Sequence, residues 1–409
     1  MTLGSTDRSG VIIEAHPPRR LYSLDALRGL AALAVVLWHW QHFFDFPGSS
    51  STRAQLSSQP FFWVLKPFYD AGWIAVDVFF ALSGFIFFWL YSSSVTHREI
   101  SGKEFALLRF SRLYPLHFVT LIVVVLLQLL FWHATGKYFV YELDSWARFV
   151  AALGMGQQWL PPSEIEVLNG PAWSVSVEVL LYLLFFWICR AGWINPRSVI
   201  ALSIAGIAGI AISNLIARGI MGFFLGGAVW YASEWVKSQR NARLIARMLG
   251  WIALGGWCLV WLEDYFRWLH SCLLWSARHI SPAVERLYAH EEKNVFLLLF
   301  VFTLMPLTVA ALALMEQLTM QPAMKRLAKR LSFFGDISYS TYLWHFPMQL
   351  ACVLAGMSFG WTAIDFMHPL AMVTFFTALI AVGSISYHFF ERPLQNTLRR
   401  GFISRPAVA

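Results

Sequence analysis

Apolar residues in this chain come in long unbroken runs, with polar residues gathered in the breaks between them. About ten such runs can be drawn: 24–44, 71–91, 113–132, 171–189, 198–216, 219–236, 248–262, 294–315, 333–356 and 369–390. A helix of roughly 20 apolar residues crosses the hydrocarbon core of a bilayer. The pattern therefore predicts an all-α polytopic membrane protein with about ten transmembrane helices. Residues 198–231 are rich in Gly and Ala, which lets neighbouring helices approach closely. The two longest breaks, 133–170 and 263–293, hold Glu142, Asp144, Trp159, Pro161, Pro162, Glu164 and Glu166 among their polar and aromatic residues. They read as loops on one side of the membrane, placed to cover an acceptor site or simply to be solvated.

Composition agrees with this picture. The 409 residues are 58% hydrophobic and 13% charged, against about 25% charged in soluble domains. The net charge of +8 would suit a nucleic acid. Most Lys and Arg residues, however, fall in alternate short breaks, where they set topology. That alternation argues against a nucleic-acid partner and places both termini in the cytoplasm. The expected division is a cytoplasmic tail over 1–20, a transmembrane domain over 21–393 and a cytoplasmic tail over 394–409. Residues 1–20 are polar and no small-residue cleavage site follows the first apolar run, so that run reads as a retained span. Cys189, Cys258, Cys272 and Cys352 form no CxxC pair, so neither a disulfide framework nor a metal site is indicated.

Ionisable residues inside the apolar runs are the candidate chemistry, because they are costly at bilayer depth. The first run carries Arg28 and His39. Eleven residues turn a helix through about 1100°, within about 20° of three full turns, so the two share a face about 16 Å apart. A neutral imidazole there can take a hydroxyl proton as a general base, or it can be a packed core histidine. His42, one turn on, reads as interfacial. Asp77 in the second run either orients and charge-stabilises an imidazolium or closes an internal ion pair. Ser83 and Gly84 read as close-packing residues. Arg109 and Arg112 are an i,i+3 pair whose two guanidinium forks suit a polyphosphate, or anchor the helix at the cytoplasmic face. The fourth run opens with Trp173 and Ser174 near the outer interface and carries Glu178 one turn deeper. The ninth carries Tyr342 and His345, and the tenth ends in a structural stop, Glu391-Arg392-Pro393.

In order along the chain these residues form a set: Asp25-x-x-Arg28-Gly…His39, Gly72-x-x-x-Val-Asp77-x-Phe-Phe-x-Leu-Ser83-Gly84-Phe85, Arg109-Phe-x-Arg112-Leu-Tyr-Pro115, Trp173-Ser174-x-x-x-Glu178, Ile337-Ser-Tyr339-x-x-Tyr342-Leu-x-His345-x-Pro347 and Glu391-Arg392-Pro393. The ordered set resembles the membrane acyltransferase 3 family from Leu24 to Pro393. The resemblance implies an O-acyltransferase of the bacterial inner (plasma) membrane. Such an enzyme takes an acyl group, often acetyl, from cytoplasmic acyl-CoA and passes it to a hydroxyl of a cell-envelope saccharide, a small-molecule glycoside or an antibiotic.

Acyl-CoA is then a donor substrate, with no tightly bound cofactor. By the same resemblance His39 is the essential first-span histidine, and Arg28, Arg109 and Arg112 hold the acyl-CoA. With the residue-level reading added, catalysis falls to His39, Glu178 and Asp77. The acceptor falls to Trp173, Ser174, Tyr342 and His345. His39 acts either as base or as the acylated nucleophile. The hydrolase-like domain that some family members carry after the membrane part is not seen, so the membrane domain acts alone or with a separate protein. The alternative is a transporter or flippase for lipid-linked sugars or small solutes, although no pair of matched broken helices marks an inverted repeat.

Overall fold

A computed structural model gives the fold and describes residues 20–45, 57–143, 145–160, 168–209 and 213–400. Among the described residues every regular element is helical. The first run is α1 (Tyr22–Trp38), which tightens into a 3₁₀ segment over His39–Asp45. Then come α2 (Phe62–Ala71), α3 (Ala75–Thr96), α4 (Gly102–Thr135) and the short α5 (Trp146–Leu153). The middle of the chain forms α6 (Trp173–Arg190), α7 (Pro196–Gly209), α8 (Asn214–Lys237) and α9 (Ala242–Phe266). The last part forms α10 (Trp268–Ile280), α11 (Pro282–Phe302), α12 (Leu304–Leu318), α13 (Pro322–Asp336) and α14 (Ser338–Phe359). It closes with α15 (Pro369–Ile385), a π-helical turn over Ser386–Glu391 and α16 (Arg392–Arg400).

Among the described residues, seven helical stretches are long and apolar enough to cross a membrane, so the chain is an all-α polytopic membrane protein. Neither α1 nor α14 is among the seven. These two helices carry Arg28, Tyr342 and His345, and it is their polar side chains that dilute the apolar signal. The fifth expected span is shorter than drawn. Its helix α7 ends at Gly209, and residues 210–212 lie outside the described part. The ninth is interrupted at Ile337, between α13 and α14.

The expectation of a loop over 263–293 is overturned. That stretch folds as α10 and the first half of α11, around a turn at Arg267 with φ 51°. Ser281 caps α11, its Oγ accepting from the Val284 N–H at 3.2 Å, and Pro282 occupies the first turn. The Arg, His and Glu residues of this stretch hid its helices, because an apolar run was the signal sought. The carboxylates Asp144, Glu164 and Glu166 and nearly all of the 1–20 tail lie outside the described residues.

Close packing rests on glycines where helices cross. A Cβ on Gly84 of α3 would lie 1.8 Å from the Phe223 carbonyl oxygen of α8, and one on Gly226 would lie 2.0 Å from that of Ala81. Gly222 and Gly226 are the small-xxx-small spacing that lets two backbones touch. Gly335 does the same against α1, where a Cβ would meet the Asp25 carbonyl oxygen at 2.2 Å. The N-terminus of α1 is fastened by Glu316 of α12, whose carboxylate accepts the Tyr22 N–H at 2.9 Å and the Ser23 N–H at 2.7 Å. That carboxylate satisfies two of the four orphan amides and complements the helix dipole.

Candidate active site

Two helices build the site, and they run parallel in register. Arg28 donates to the Ser338 hydroxyl at 3.1 Å, and the His39 carbonyl accepts from Gln349 at 2.9 Å. Both contacts join residues 310 apart in sequence. The face that carries Arg28 and His39 is therefore laid along α14 over its whole length. Arg28 is held further by the Gly335 carbonyl at 2.8 Å and by Asp25 at 2.9 Å.

At the far end three histidine rings meet. His39 lies with its ring centre 4.8 Å from those of both His42 and His345. His39 Nδ1 sits 2.9 Å from the Val35 carbonyl, and His345 Nδ1 sits 2.5 Å from that of Tyr342. A carbonyl only accepts, so Nδ1 carries the hydrogen in both rings and Nε2 is left with its lone pair. The His345 Nε2 is buried with no hydrogen-bond partner among the described residues. Each of these Nε2 atoms is therefore chemically able to take a proton.

His42 is not interfacial, as expected from its position, but 5% exposed and bonded on both ring nitrogens. The Gln349 amide, with its N–H spent on His39, turns its oxygen to His42 Nδ1 at 3.2 Å. His42 Nε2 then accepts from the Tyr141 hydroxyl at 3.3 Å. Gln349 is fully buried and escaped the sequence reading. A neutral amide in an apolar helix carries no charge to flag it, though an unexplained buried Gln at one turn past His345 is a usable signal.

Between the Arg28 end and the histidines lies a cavity of about 90 Å³. Arg28, Arg112 and Ser338 line one end, Ser174 and Tyr342 the other, and Ser83 and Glu178 the wall between. The Ser174 and Tyr342 hydroxyls are 2.8 Å apart, and the Tyr342 hydroxyl donates to the Pro171 carbonyl at 2.8 Å. His345 follows Tyr342 by one turn, with ring centres 5.8 Å apart. Glu178 accepts from the Tyr182 hydroxyl and, at 3.4 Å, from Ser83. Arg112 makes no hydrogen bond or ion pair among the described residues, although the charge of Glu178 acts on it.

Asp77, Trp173 and Arg109, which the sequence marks as candidates, are in contrast occupied elsewhere. Asp77 directs its two carboxylate oxygens to Arg218, at 2.7 and 3.2 Å, and is wholly buried. The structure brings it to an arginine of α8, not to a histidine, because the glycine crossing of α3 and α8 sets those two side chains face to face. Trp173 is 8% exposed and packs its ring on that same Arg218 guanidinium, 5.5 Å away. Arg109 does not share the cavity with Arg112. It is buried among the rings of Phe87, Tyr91, Phe105 and Tyr182 and donates to the Tyr91 hydroxyl at 2.6 Å.

A model of the acyltransferase domain matches residues 21–388, nearly the whole helical assembly. The chain belongs to the acyltransferase 3 family. Among curated relatives, it is 34% identical over 197 residues to the acyltransferase MdmB of Streptomyces mycarofaciens, covering 43% of this chain and 45% of that protein. It is 24% identical over 418 residues to the peptidoglycan O-acetyltransferase OatA of Listeria monocytogenes, covering 93% of this chain and 56% of that protein. It is 29% identical over 197 residues to protein 2 in the picA locus of Rhizobium radiobacter, covering 46% of this chain and 92% of that protein. The chain thus spans about half the length of MdmB and OatA. No solved structure matches it significantly.

Proposed function

We propose that this protein is a membrane O-acyltransferase that moves an acyl group, acetyl in the first instance, from cytoplasmic acyl-CoA to a hydroxyl of a cell-envelope saccharide. The observation that carries the reading is the in-register pairing of α1 with α14, which strings Arg28, the cavity and the His39–His345 pair along one line. Family membership supports acyl transfer. The name of OatA, an O-acetyltransferase of peptidoglycan, supports a saccharide acceptor.

In this reading the nucleotide of acyl-CoA stays outside the cavity, and its thioester arm runs past Arg112 and Glu178 towards Tyr342. His39 Nε2 takes the proton of the acceptor hydroxyl as its oxygen attacks the thioester carbonyl. A C–O bond forms, the C–S bond breaks, and the proton returns to the departing thiolate, giving ester and free CoA. The same Nε2 could instead accept the acyl group itself before the acceptor arrives, which would split transfer into two steps. His345 Nε2, without a hydrogen-bond partner among the described residues, gives the proton or the acceptor hydroxyl a second place to bind.

The test is thiol release from acetyl-CoA by the purified protein in lipid bilayers, with and without a peptidoglycan-derived saccharide, read together with the mass of the saccharide. Acceptor-dependent thiol release with a matching O-acetyl mass gain supports the reading. A protein that only moved solutes would leave the thioester intact. Trapping an acylated His39 in the absence of acceptor would select the two-step route.

A further inference from the structure

The geometry points to Arg399, on the C-terminal helix α16, as a phosphate-binding residue of the donor site. It completes with Arg112 a cationic mouth for the nucleotide end of acyl-CoA. This deepens the donor reading above and rests on it.

Arg399 reaches across to α4 and docks between its two arginines. Its Nε donates to the Ser111 hydroxyl at 3.0 Å and its Nη2 to the Leu108 carbonyl at 3.3 Å. Those two contacts bracket Arg109 in sequence and stop one residue short of Arg112, and the charges of both arginines act on Arg399. Guanidinium offers five N–H donors, so two bonds to α4 leave others for a ligand.

Three guanidinium groups are thus gathered with no carboxylate paired to any of them among the described residues. Arg109 bonds to Tyr91, Arg112 has no direct partner, and Arg399 bonds to a hydroxyl and a carbonyl. Of the carboxylates whose charge reaches Arg112, Asp25 is shared by Arg20 and Arg28, Glu178 takes the Tyr182 and Ser83 hydroxyls, and Glu391 takes those of Ser340 and Ser386, so none bonds to these arginines. Like charges held this close in a partly buried site destabilise the fold unless an anion balances them.

The surroundings suit a phosphate. A groove beside Arg399 on the same short helix is lined by His388, Arg392, Asn396, Thr397 and Arg400, which adds two more guanidinium groups and neutral donors. Arg forks match phosphate oxygens in pairs. Acyl-CoA carries a pyrophosphate and a ribose phosphate at its nucleotide end, which the donor reading keeps outside the cavity. An anionic lipid headgroup offers the same phosphate chemistry from the membrane surface, and the test separates the two sources.

The test uses the full chain in phosphatidylcholine nanodiscs and measures binding of acetyl-CoA and of acetyl-pantetheine, which has no phosphate. Arg399→Gln is expected to weaken acetyl-CoA binding about tenfold, the worth of one charge-assisted bond, and to leave acetyl-pantetheine within twofold. Arg399→Lys should recover part of the loss, and both variants should keep the wild-type thermal midpoint within a few degrees. Unchanged acetyl-CoA binding, or an equal loss for both ligands, would overturn the inference. So would a response confined to nanodiscs doped with phosphatidylglycerol, which would assign Arg399 to lipid. Wild-type protein that binds neither ligand would instead remove the donor reading itself.

Discussion

Among the described residues, two of the Arg–carboxylate clusters within the helical assembly are built differently. Asp77 and Arg218 close on each other through both carboxylate oxygens, under the ring of Trp173, with the carboxylate wholly buried. Arg28, Arg112 and Glu178 line one cavity; Arg28 is held by Asp25 and Glu178 by Tyr182, but Arg112 bonds directly to nothing among the described residues. The residue types are the same. A closed pair satisfies its charges within the protein and ties two helices together. An open set keeps unspent donors and acceptors, which are useful only when something enters. Charge at membrane depth therefore marks a functional candidate, and satisfaction of that charge decides whether the candidate survives.

The largest effect is expected where the open line ends. His39→Ala should lower acyl transfer by about 10²–10⁴-fold, the range of a lost general base, while the thermal midpoint in bilayers stays near the wild type. Acceptor-dependent thiol release and a melting curve, measured on the same preparation, check it. Full activity in a folded His39→Ala protein would remove this histidine from the chemistry.

The closed pair should respond in the opposite sense. Asp77→Ala or Arg218→Ala strands a buried charge and should lose about 3–5 kcal/mol of stability, seen as a depressed melting midpoint and poor yield. The double substitution should be less damaging than the two single losses summed. If Asp77→Asn folded normally and lost only transfer, the pair would belong with the catalytic residues after all.

Next comes the free guanidinium. Arg112→Gln should weaken acetyl-CoA binding about tenfold or more with little change in melting, since it removes a charge-assisted contact to the donor and no internal bond. Arg109→Gln, by comparison, breaks an aromatic-lined bond to Tyr91 and should cost stability first.

Much of this architecture was legible in the sequence. The apolar runs place most of the long helices, and the eleven-residue spacing of Arg28 and His39 marks two residues that both turn out to contact α14. Neither the partner of a charge nor the depth of a ring can be read that way. Asp77 and Arg218 are 141 residues apart and meet only because glycines bring α3 onto α8. Gln349 is silent for the opposite reason, as an uncharged residue inside an apolar helix. The stretch 263–293 misled because helices rich in charge leave no apolar run to find, although Ser281-Pro282 is a cap that the sequence shows.

The smallest effect belongs to a residue that stands between the two clusters in kind. Tyr342 lines the cavity, yet its hydroxyl is engaged, donating to the Pro171 carbonyl and lying 2.8 Å from Ser174. Tyr342→Phe keeps the ring that packs against His345 and removes the hydroxyl's bonds to Pro171 and Ser174, both in the segment that opens α6. Each is a neutral hydrogen bond, worth about 1 kcal/mol. If these bonds serve only to tie the helices, stability should fall slightly and transfer should be unchanged. If they shape the cavity end next to the histidines, transfer should fall several-fold at an unchanged affinity for acetyl-CoA. The second outcome is expected, because the Tyr342 backbone carbonyl also fixes the His345 ring, so any shift of this turn moves that Nε2 relative to His39. Steady-state rates at saturating donor, set beside the melting midpoint of the same variant, separate the two.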